Sequence, residues 1–325
     1  MLDHFRQARL LRALAVLSLI VLVACDTGTP GSSTPPANTA PASGLNVVAT
    51  TTQIRSMTEA VLGEHGRVRS ILTPGADAHE FEPKPGDVQA ISESDLVLKN
   101  GLGVDDWIDK LIENAGGERP LVTVTEGVLL REGAEEEGEE GEEEGGEHGA
   151  FDPHVWLNVS NAITMTANIR DALIEADPAN EAAYKANADT YTATLRDLDR
   201  YIKDQIATIP VEDRKMVTNH DAFGYYIEAY GLTFVGSLIP SMSTGAQPSA
   251  QDVAELIRKI KSEKVKAIFI ESSINPSLAQ QIGGDAGVKV VDTLYGDSLG
   301  TEGTPGATYE GMMRYNTDTI VAALK

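Results

Sequence analysis

Cysteine is almost absent from this chain of 325 residues, which contains only Cys25. A single thiol cannot pair within its own chain, so a fold held together by internal disulfide bonds is excluded. The N-terminal apolar run, Leu14 to Val23, has about ten residues and is too short to cross a bilayer as a helix. Because three arginines precede this run, the segment is typical of a secretory signal peptide.

The end of the apolar run, Leu22-Val23-Ala24-Cys25, resembles the lipobox of bacterial lipoproteins. In such proteins the cysteine becomes the lipidated first residue of the mature chain, and its acyl chains anchor the protein to a membrane surface. We therefore predict a lipoprotein signal peptide over residues 1–24 and lipidation at Cys25. An ordinary cleaved signal with an incidental cysteine is the alternative. Residues 25–44 are small and polar, which is typical of a flexible tether.

Basic residues are scarce, since 26 Lys and Arg stand against 49 Asp and Glu and give a net charge of −23. Nucleic acids require Lys and Arg patches, so this balance argues against them as partners. Ten of the glutamates fall within residues 132–147, with no basic residue among them. Because charges this dense repel one another and stay solvated, we predict an acidic disordered loop over residues 132–149. The loop serves either as a plain linker or as a weak collector of cations.

Predicted strands alternate with helices from about Leu45 onward, and the 42% of hydrophobic residues allow a sizeable core. This alternation predicts βαβ units and parallel sheets. The predicted strands are Asn46–Thr51, Val68–Leu72, Asp95–Lys99, Leu121–Val124, Lys215–Thr218, Thr233–Gly236, Ala267–Ile270 and Lys289–Val291.

A long helix is predicted between the two sets of strands. Apolar residues recur every three or four positions from Asn180 to about Ile206, which corresponds to a helix about 40 Å long. The sequence therefore predicts an α/β protein with two βα lobes, each with a parallel sheet, joined by one backbone helix. The predicted boundaries are 45–178 for the N-terminal lobe, 179–208 for the linking helix and 209–325 for the C-terminal lobe. We expect each lobe to have its own hydrophobic core.

The most distinctive stretch is Asp152-Pro153-His154-Val155-Trp156-Leu157-Asn158. Pro153 locks its own φ and restricts the residue before it, so the neighbouring His154 is expected to be fixed in direction. A fixed imidazole suits metal ligation, where the direction of the ring matters. Three candidate partners, His79, His220 and Asp297, each follow a predicted strand, on the side where open parallel sheets bind ligands.

A metal ion bound by all four side chains would lie in the cleft, with His79 and His154 from the first lobe and His220 and Asp297 from the second. Three imidazoles and one carboxylate suit zinc best and also accept manganese or iron. Such a site leaves no open position for a substrate water, which favours binding or transport over hydrolysis.

Other assignments remain open on the residues alone, because a single histidine on a loop is more often exposed than a metal ligand. The carboxylates that compete with Asp297 are Asp221, Glu271 and Asp292. Glu271, at the end of a buried strand, is expected to orient the site or to pack the lobe interface rather than bind the ion. Asn219, which precedes His220, is a second candidate for orienting the site. The histidines without an assigned role are His4, His65 and His148.

The combined pattern resembles the metal-binding lipoproteins of bacterial ABC importers, the TroA-like family of zinc and manganese solute-binding proteins. The resemblance extends from about Leu45 to the C-terminus. The stretches that carry it are Gly75-Ala76-Asp77-Ala78-His79-Glu80-Phe81-Glu82-Pro83, the Asp152–Asn158 stretch, His220-Asp221-Ala222-Phe223-Gly224-Tyr225-Tyr226, Phe269-Ile270-Glu271-Ser272-Ser273 and Asp297-Ser298-Leu299-Gly300.

The resemblance implies two lobes with little hinge motion, capture of a metal ion outside the cytoplasm, and delivery to an ABC permease and its ATPase. By motif position it implies that His79, His154, His220 and Asp297 are the ligands. Histidine at the third position leans toward Zn²⁺ as the transported ion, with Mn²⁺ next. The expected protein is a lipid-anchored, extracytoplasmic monomer and not an enzyme.

Two alternatives were weighed against the importer component. One is a metal-dependent surface adhesin of the same fold. The other is an extracellular metallohydrolase, which would need an open metal position and a general base such as Glu80 or Glu271.

Overall fold

The computed structural model describes residues 44–133 and 151–325. The predicted signal peptide, Cys25, the tether up to residue 43 and nearly all of the acidic loop lie outside the described residues. Residues Ser43–Lys325 pack as one compact unit, so the boundaries given above for two lobes stay predictions. None of the helices within the described ranges combines the length and the apolar composition that a membrane crossing requires.

The first sheet has four parallel strands in the order β2-β1-β3-β4. Its strands are β1 (Leu45–Ala49), β2 (Gly66–Ser70), β3 (Leu96–Lys99) and β4 (Leu121–Thr123). The connecting helices are α1 (Thr52–Leu62), α2 (Pro85–Ser92) and α3 (Trp107–Ala115). Because all strands run in the same direction, their carboxyl ends form one edge of the sheet.

A helical segment separates this sheet from the second one. It consists of α4 (Val159–Ala176) and α5 (Glu181–Ala207). Helix α4 ends before Asp177-Pro178, since proline cannot continue a helix. Helix α5 has 27 residues and buries an apolar stripe at helical spacing, as predicted. It packs against α1 and α4 of the first half.

The second sheet repeats the parallel arrangement with the strand order β6-β5-β7-β8. Its strands are β5 (Lys215–Thr218), β6 (Thr233–Ser237), β7 (Ala267–Glu271) and β8 (Lys289–Leu294). Its helices are α6 (Gly224–Tyr230), α7 (Ala250–Ser262), α8 (Ser277–Ala286) and α9 (Tyr309–Leu324). Helix α5 also packs against α6 and α9. The predicted fold class, two parallel βα halves joined by one long helix, is confirmed.

The hydrophobic core differs from the expectation of one core for each lobe. The largest cluster of buried residues runs through both halves, from Val47 and Leu98 through Leu195 to Phe269 and Met312. Smaller clusters cover the outer face of each sheet. The long helix causes this difference, since its apolar stripe packs against helices of both halves and makes their inner faces continuous.

Candidate metal centre

Loops at the carboxyl ends of the strands bring all four predicted side chains together. His79 lies between β2 and α2, His154 between β4 and α4, His220 after β5, and Asp297 after β8. One donor atom from each residue lies within 4.8 Å of the other three. His154, His220 and Asp297 are buried, whereas the His79 side chain keeps 9% of its surface exposed.

Four distances between the donor atoms are close to those of a tetrahedral zinc site. His79 Nε2 lies 3.3 Å from His154 Nε2 and 3.5 Å from Asp297 Oδ2. His154 Nε2 lies 3.3 Å from Asp297 Oδ1, and His220 Nε2 lies 3.4 Å from Oδ2. Ligand atoms at about 2.0–2.1 Å from a tetrahedral ion lie about 3.3–3.4 Å apart. Because both Asp297 oxygens face ring nitrogens, a two-oxygen carboxylate contact to a larger ion also fits.

His154 is held by the local structure of its own motif. The buried Asp152 accepts a hydrogen bond from the His154 backbone N–H at 3.0 Å, and its Oδ1 lies 2.7 Å from Nδ1 of the ring. In the neutral ring, Nδ1–H donates a hydrogen bond to Asp152, which leaves Nε2 with a lone pair for a metal ion. At the other end of the motif, Asn158 caps α4 by accepting from Ser160 N–H. The role of Asp152 was missed in the sequence, although a carboxylate two residues before a fixed histidine was its signal.

Glu271 orients His220 and Asp297 together. Its Oε1 lies 3.2 Å from His220 Nδ1 and accepts from the Asn219 side-chain amide at 3.1 Å. Its Oε2 accepts from the Asp297 backbone N–H at 2.8 Å. A Cβ on Gly296 would lie 2.1 Å from Oε2, so only glycine leaves room for this carboxylate. Glu271 and Asn219 both lie within 3.2 Å of His220 Nδ1, and their role in orienting a metal site stays a prediction.

The Asp297 segment is anchored by the opposite half of the molecule. The Gly296 carbonyl accepts hydrogen bonds from Gln53 Nε2 at 2.8 Å and from Trp156 Nε1 at 3.1 Å. The Leu299 backbone N–H donates to the Thr52 hydroxyl at 2.8 Å. These contacts fix the position of Asp297 relative to the histidines of the first half.

The His79 loop is held by fewer contacts. Asp77 accepts from the His79 backbone N–H at 2.9 Å and from the Thr244 hydroxyl at 2.6 Å. The Gly75 backbone N–H donates to the Ser298 hydroxyl at 2.7 Å. Of the four side chains, His79 is thus the most exposed, on a loop joined to the second half by the hydroxyls of Thr244 and Ser298.

Charge coupling within the cluster shifts the pKa of each group. Burial lowers the pKa of His154, but hydrogen bonds to Asp152 and Asp297 outweigh burial and raise it to about 10. Burial also opposes protonation of His220, yet Asp297 and Glu271 raise its pKa overall. Burial lowers the pKa of His79. The pKa of Asp297 is lowered because the histidines outweigh the effect of its burial. A metal ion bound at His154 Nε2 would therefore compete with a proton for this nitrogen.

Of the competing carboxylates, Glu271 contacts His220 Nδ1 and the Asp297 backbone, whereas Asp292 and Asp221 lie elsewhere. Asp292 is exposed within β8, which extends to Leu294 and not only to Val291 as predicted. Asp221 faces Arg131 instead of the four donor atoms. His65 packs edge-on against Tyr184, and His4 and His148 lie outside the described residues.

The family model of ZnuA, zinc-uptake complex component A, periplasmic, matches residues 47–323 of this chain. The manganese-binding lipoprotein MntA of Halalkalibacterium halodurans is 32% identical over 309 residues, which cover 95% of this chain and 97% of the relative. The iron ABC transporter substrate-binding lipoprotein MtsA of Streptococcus pyogenes serotype M1 is 34% identical over 319 residues, covering 95% of this chain and 96% of the relative.

Among solved structures, the periplasmic zinc-binding protein TroA from Treponema pallidum is similar to this chain with a TM-score of 0.76. The two sequences are 30% identical, and the alignment covers 86% of this chain and 99% of that protein. The similar proteins are thus named for three different metals, manganese, iron and zinc.

Proposed function

We propose a transport function from the premise that the chain belongs to the family of zinc-uptake complex component A. In this proposal the protein captures one divalent transition-metal ion outside the cytoplasm and delivers it to the permease and ATPase of an ABC importer. The observation that carries this proposal is the convergence of His79, His154, His220 and Asp297 on one point between the two sheets. The name of the relative MtsA, an ABC transporter substrate-binding lipoprotein, supports the transport role.

Zinc is the proposed cargo, and manganese is the next candidate. Three imidazoles with one carboxylate at nearly tetrahedral spacing suit zinc, whose bonds to such ligands are about 2.0–2.2 Å long. The four side chains complete the coordination of zinc without a substrate water, so no catalytic role is proposed. Manganese is the next candidate because both Asp297 oxygens lie beside the ring nitrogens, and manganese favours carboxylate oxygens as ligands.

Competition binding tests the proposed cargo. Purified protein stripped of metal is titrated with zinc and with manganese against a chelator of known affinity, with His220→Ala as the variant. We expect one tight equivalent, with zinc displacing manganese, and loss of that equivalent in the variant. One equivalent with manganese preferred would keep the transport role and reverse the cargo. The absence of any tight equivalent would contradict the proposal.

Anchoring through a lipidated Cys25 is the proposed mode of attachment. The lipobox-like sequence before Cys25 supports it, and so do the names of MntA and MtsA, both lipoproteins. We expect Cys25→Ser to release the protein from the membrane fraction of the cells that produce it. Retention of the variant in that fraction would contradict a lipid anchor.

The adhesin alternative gains no support from these observations. The family is named for zinc uptake, and MtsA is named for transport. Within the described residues, the features that can be assigned to function are those of a buried metal site.

A further inference from the structure

Arg131 lies at the point where three carboxylates from separate segments meet. Its Nη1 lies 2.9 Å from Asp152 Oδ2, its Nε lies 3.0 Å from Glu228 Oε1, and its Nη2 lies 3.7 Å from Asp221 Oδ2. Asp152 is fully buried and Asp221 is 7% exposed, whereas the Glu228 side chain is 65% exposed. Arg131 therefore compensates two buried negative charges, which would be costly to leave unpaired.

The two buried carboxylates connect Arg131 to ligands of both halves. Asp152 uses its second oxygen, Oδ1, to hold the backbone and the ring of His154. Asp221 directly follows His220 in the chain. The guanidinium group thus pairs with one carboxylate beside the His154 ligand and with another beside the His220 ligand.

Backbone contacts fix Arg131 in this position. Its carbonyl accepts from Asp152 N–H at 2.9 Å, and its N–H donates to the Tyr225 hydroxyl at 3.0 Å. The same hydroxyl donates to the Asp152 carbonyl at 2.8 Å. Tyr225 belongs to α6 of the second half, so both the backbone and the side chain of Arg131 join the halves.

The first residue of α6 is shaped to accept the guanidinium group. A Cβ built on Gly224 would lie 2.3 Å from Arg131 Nη1 and 2.4 Å from Cζ. Side-chain atoms do not approach this closely, so Arg131 can occupy its place only because residue 224 is glycine. A side chain at position 224 would therefore displace the guanidinium group from its present place.

We propose that Arg131 is a positioning residue for metal capture, which acts through Asp152 to aim the His154 ring and which sets the distance between the His154 and His220 segments. This inference rests on the proposed metal capture. Arg131 does not touch the ion. It binds Asp152, which in turn binds the His154 ring. Substitution of a residue that supports a metal ligand in this way typically lowers metal affinity by about 10- to 100-fold.

The test measures zinc affinity by chelator competition in the wild type, Arg131→Ala, Arg131→Lys and Gly224→Ala. We expect Arg131→Ala to raise the zinc Kd by about 10- to 100-fold. Lysine keeps the positive charge but lacks the planar guanidinium group, so Arg131→Lys should bind zinc more tightly than Arg131→Ala and less tightly than the wild type. Gly224→Ala keeps the arginine but displaces it, and should weaken zinc binding in the same direction. Glu228→Gln, which removes the exposed partner, is the matched control and should change the Kd by less than about threefold.

A double-mutant cycle separates positioning from general destabilisation. If Arg131 acts through Asp152, adding Arg131→Ala to Asp152→Asn should change the zinc Kd by less than about threefold. The visible spectrum of bound Co²⁺, which reports ligand geometry, should change in Arg131→Ala even at full loading. Loss of thermal stability alone would not alter that spectrum.

Three results would overturn the inference. If the wild type and Arg131→Ala both bind zinc tightly and with equal affinity, Arg131 has no role in metal capture, and the proposed function stays intact. If the effects of Arg131→Ala and Asp152→Asn on the zinc Kd are additive and the Co²⁺ spectrum is unchanged, Arg131 stabilises the fold but does not position the His154 ring. A wild type that binds neither zinc nor manganese tightly would refute both proposals.

Discussion

Asp152 and the His154 ring form the contact on which the direction of one ligand depends. The Asp152 Oδ1 lies 2.7 Å from Nδ1, on the side of the ring away from the other donor atoms. A carboxylate at this place fixes the tautomer and raises the basicity of Nε2. Metal affinity should therefore depend on Asp152 as well as on His154.

Substitutions at this pair should weaken metal binding to different extents. We expect His154→Ala to lower zinc affinity by orders of magnitude, because it removes a ligand. Asp152→Asn keeps an oxygen near Nδ1 but loses the negative charge, so it should lower zinc affinity by about 10- to 100-fold. Titration of both variants against a chelator checks this order. An Asp152→Asn protein with wild-type affinity would show that the hydrogen bond has no influence on the ligand.

Asp105 is a buried carboxylate outside the metal centre. It accepts hydrogen bonds from the Thr50 hydroxyl and from the backbone N–H groups of Asn100 and Gly101. Asn100 in turn donates to the Pro153 carbonyl at 3.1 Å, next to His154. Burial raises the pKa of Asp105 to about 6, although these hydrogen bonds act in the opposite direction.

The raised pKa predicts a pH dependence of stability. Between about pH 4 and pH 6 the folded protein holds a proton on Asp105 that the unfolded chain has lost, so stability falls as the pH rises through this window. The difference in the free energy of unfolding between the wild type and Asp105→Asn should fall by on the order of 3 kcal/mol as the pH rises through this window. Urea unfolding of metal-free protein measures this difference. Asp109→Asn, at an exposed site, is the control, and a difference that rises with pH would contradict the shift.

At the scale of elements, α5 links the two sheets through a single apolar stripe. The buried positions of the helix are Tyr184, Ala188, Tyr191, Leu195, Leu198, Ile202 and Ile206. Their spacing of three and four residues places them on one face, which packs against helices of both halves. The stability of the whole chain should therefore depend on this face.

Leu195→Ala tests the stripe. Leu195 is fully buried, and removal of a buried leucine side chain costs about 2–5 kcal/mol. Its neighbour Arg196 is exposed, so Arg196→Ala should change the free energy of unfolding by no more than about 0.5 kcal/mol. Chemical denaturation of both variants measures the difference. Equal effects at the two positions would contradict the orientation of the helix.

The sequence predicted these elements well because their signals are local. The period of α5 and the alternation of strands and helices require only neighbouring residues, so every predicted strand and the long helix are present. The end of β8 was placed too early because polar residues at 292 and 293 interrupt its apolar pattern. With a predicted strand that ends at Val291, Asp292 counts among the carboxylates that compete with Asp297.

The candidate site was predictable only in part. His79, His220 and Asp297 each follow a strand, and the geometry of parallel sheets places such residues at the carboxyl edge of their own sheet. The contacts of Arg131 were not predictable, since its partners Asp152, Asp221 and Glu228 lie 21 to 97 residues along the chain. Such contacts depend on the packing of the two halves, which spacing in the sequence does not specify.

At the scale of the whole molecule, the shared hydrophobic core makes the halves interdependent. The largest buried cluster includes residues of both sheets and of α5, and the Asp297 segment is bonded to Gln53 and Trp156 of the other half. Opening of the cleft by a large hinge motion would expose this core. A large hinge motion is therefore energetically unfavourable in this fold.

The common core predicts a single unfolding transition. We expect calorimetry of the metal-free protein to show one cooperative transition and zinc to stabilise the folded state by about 2.7 kcal/mol when free zinc is 100 times its Kd. His154→Ala should keep the single transition and lose most of the zinc-induced shift. Two separate transitions, one for each half, would show that the halves have independent cores.

The most direct test of the four-ligand site is anomalous diffraction at the zinc edge on crystals of the zinc-loaded protein. The structure predicts one strong peak between His79, His154, His220 and Asp297, with three nitrogens and a carboxylate oxygen at about 2.0–2.2 Å. A peak at surface carboxylates, or an ion here that is surrounded mainly by water, would contradict the conclusion that the two halves together form a closed metal site.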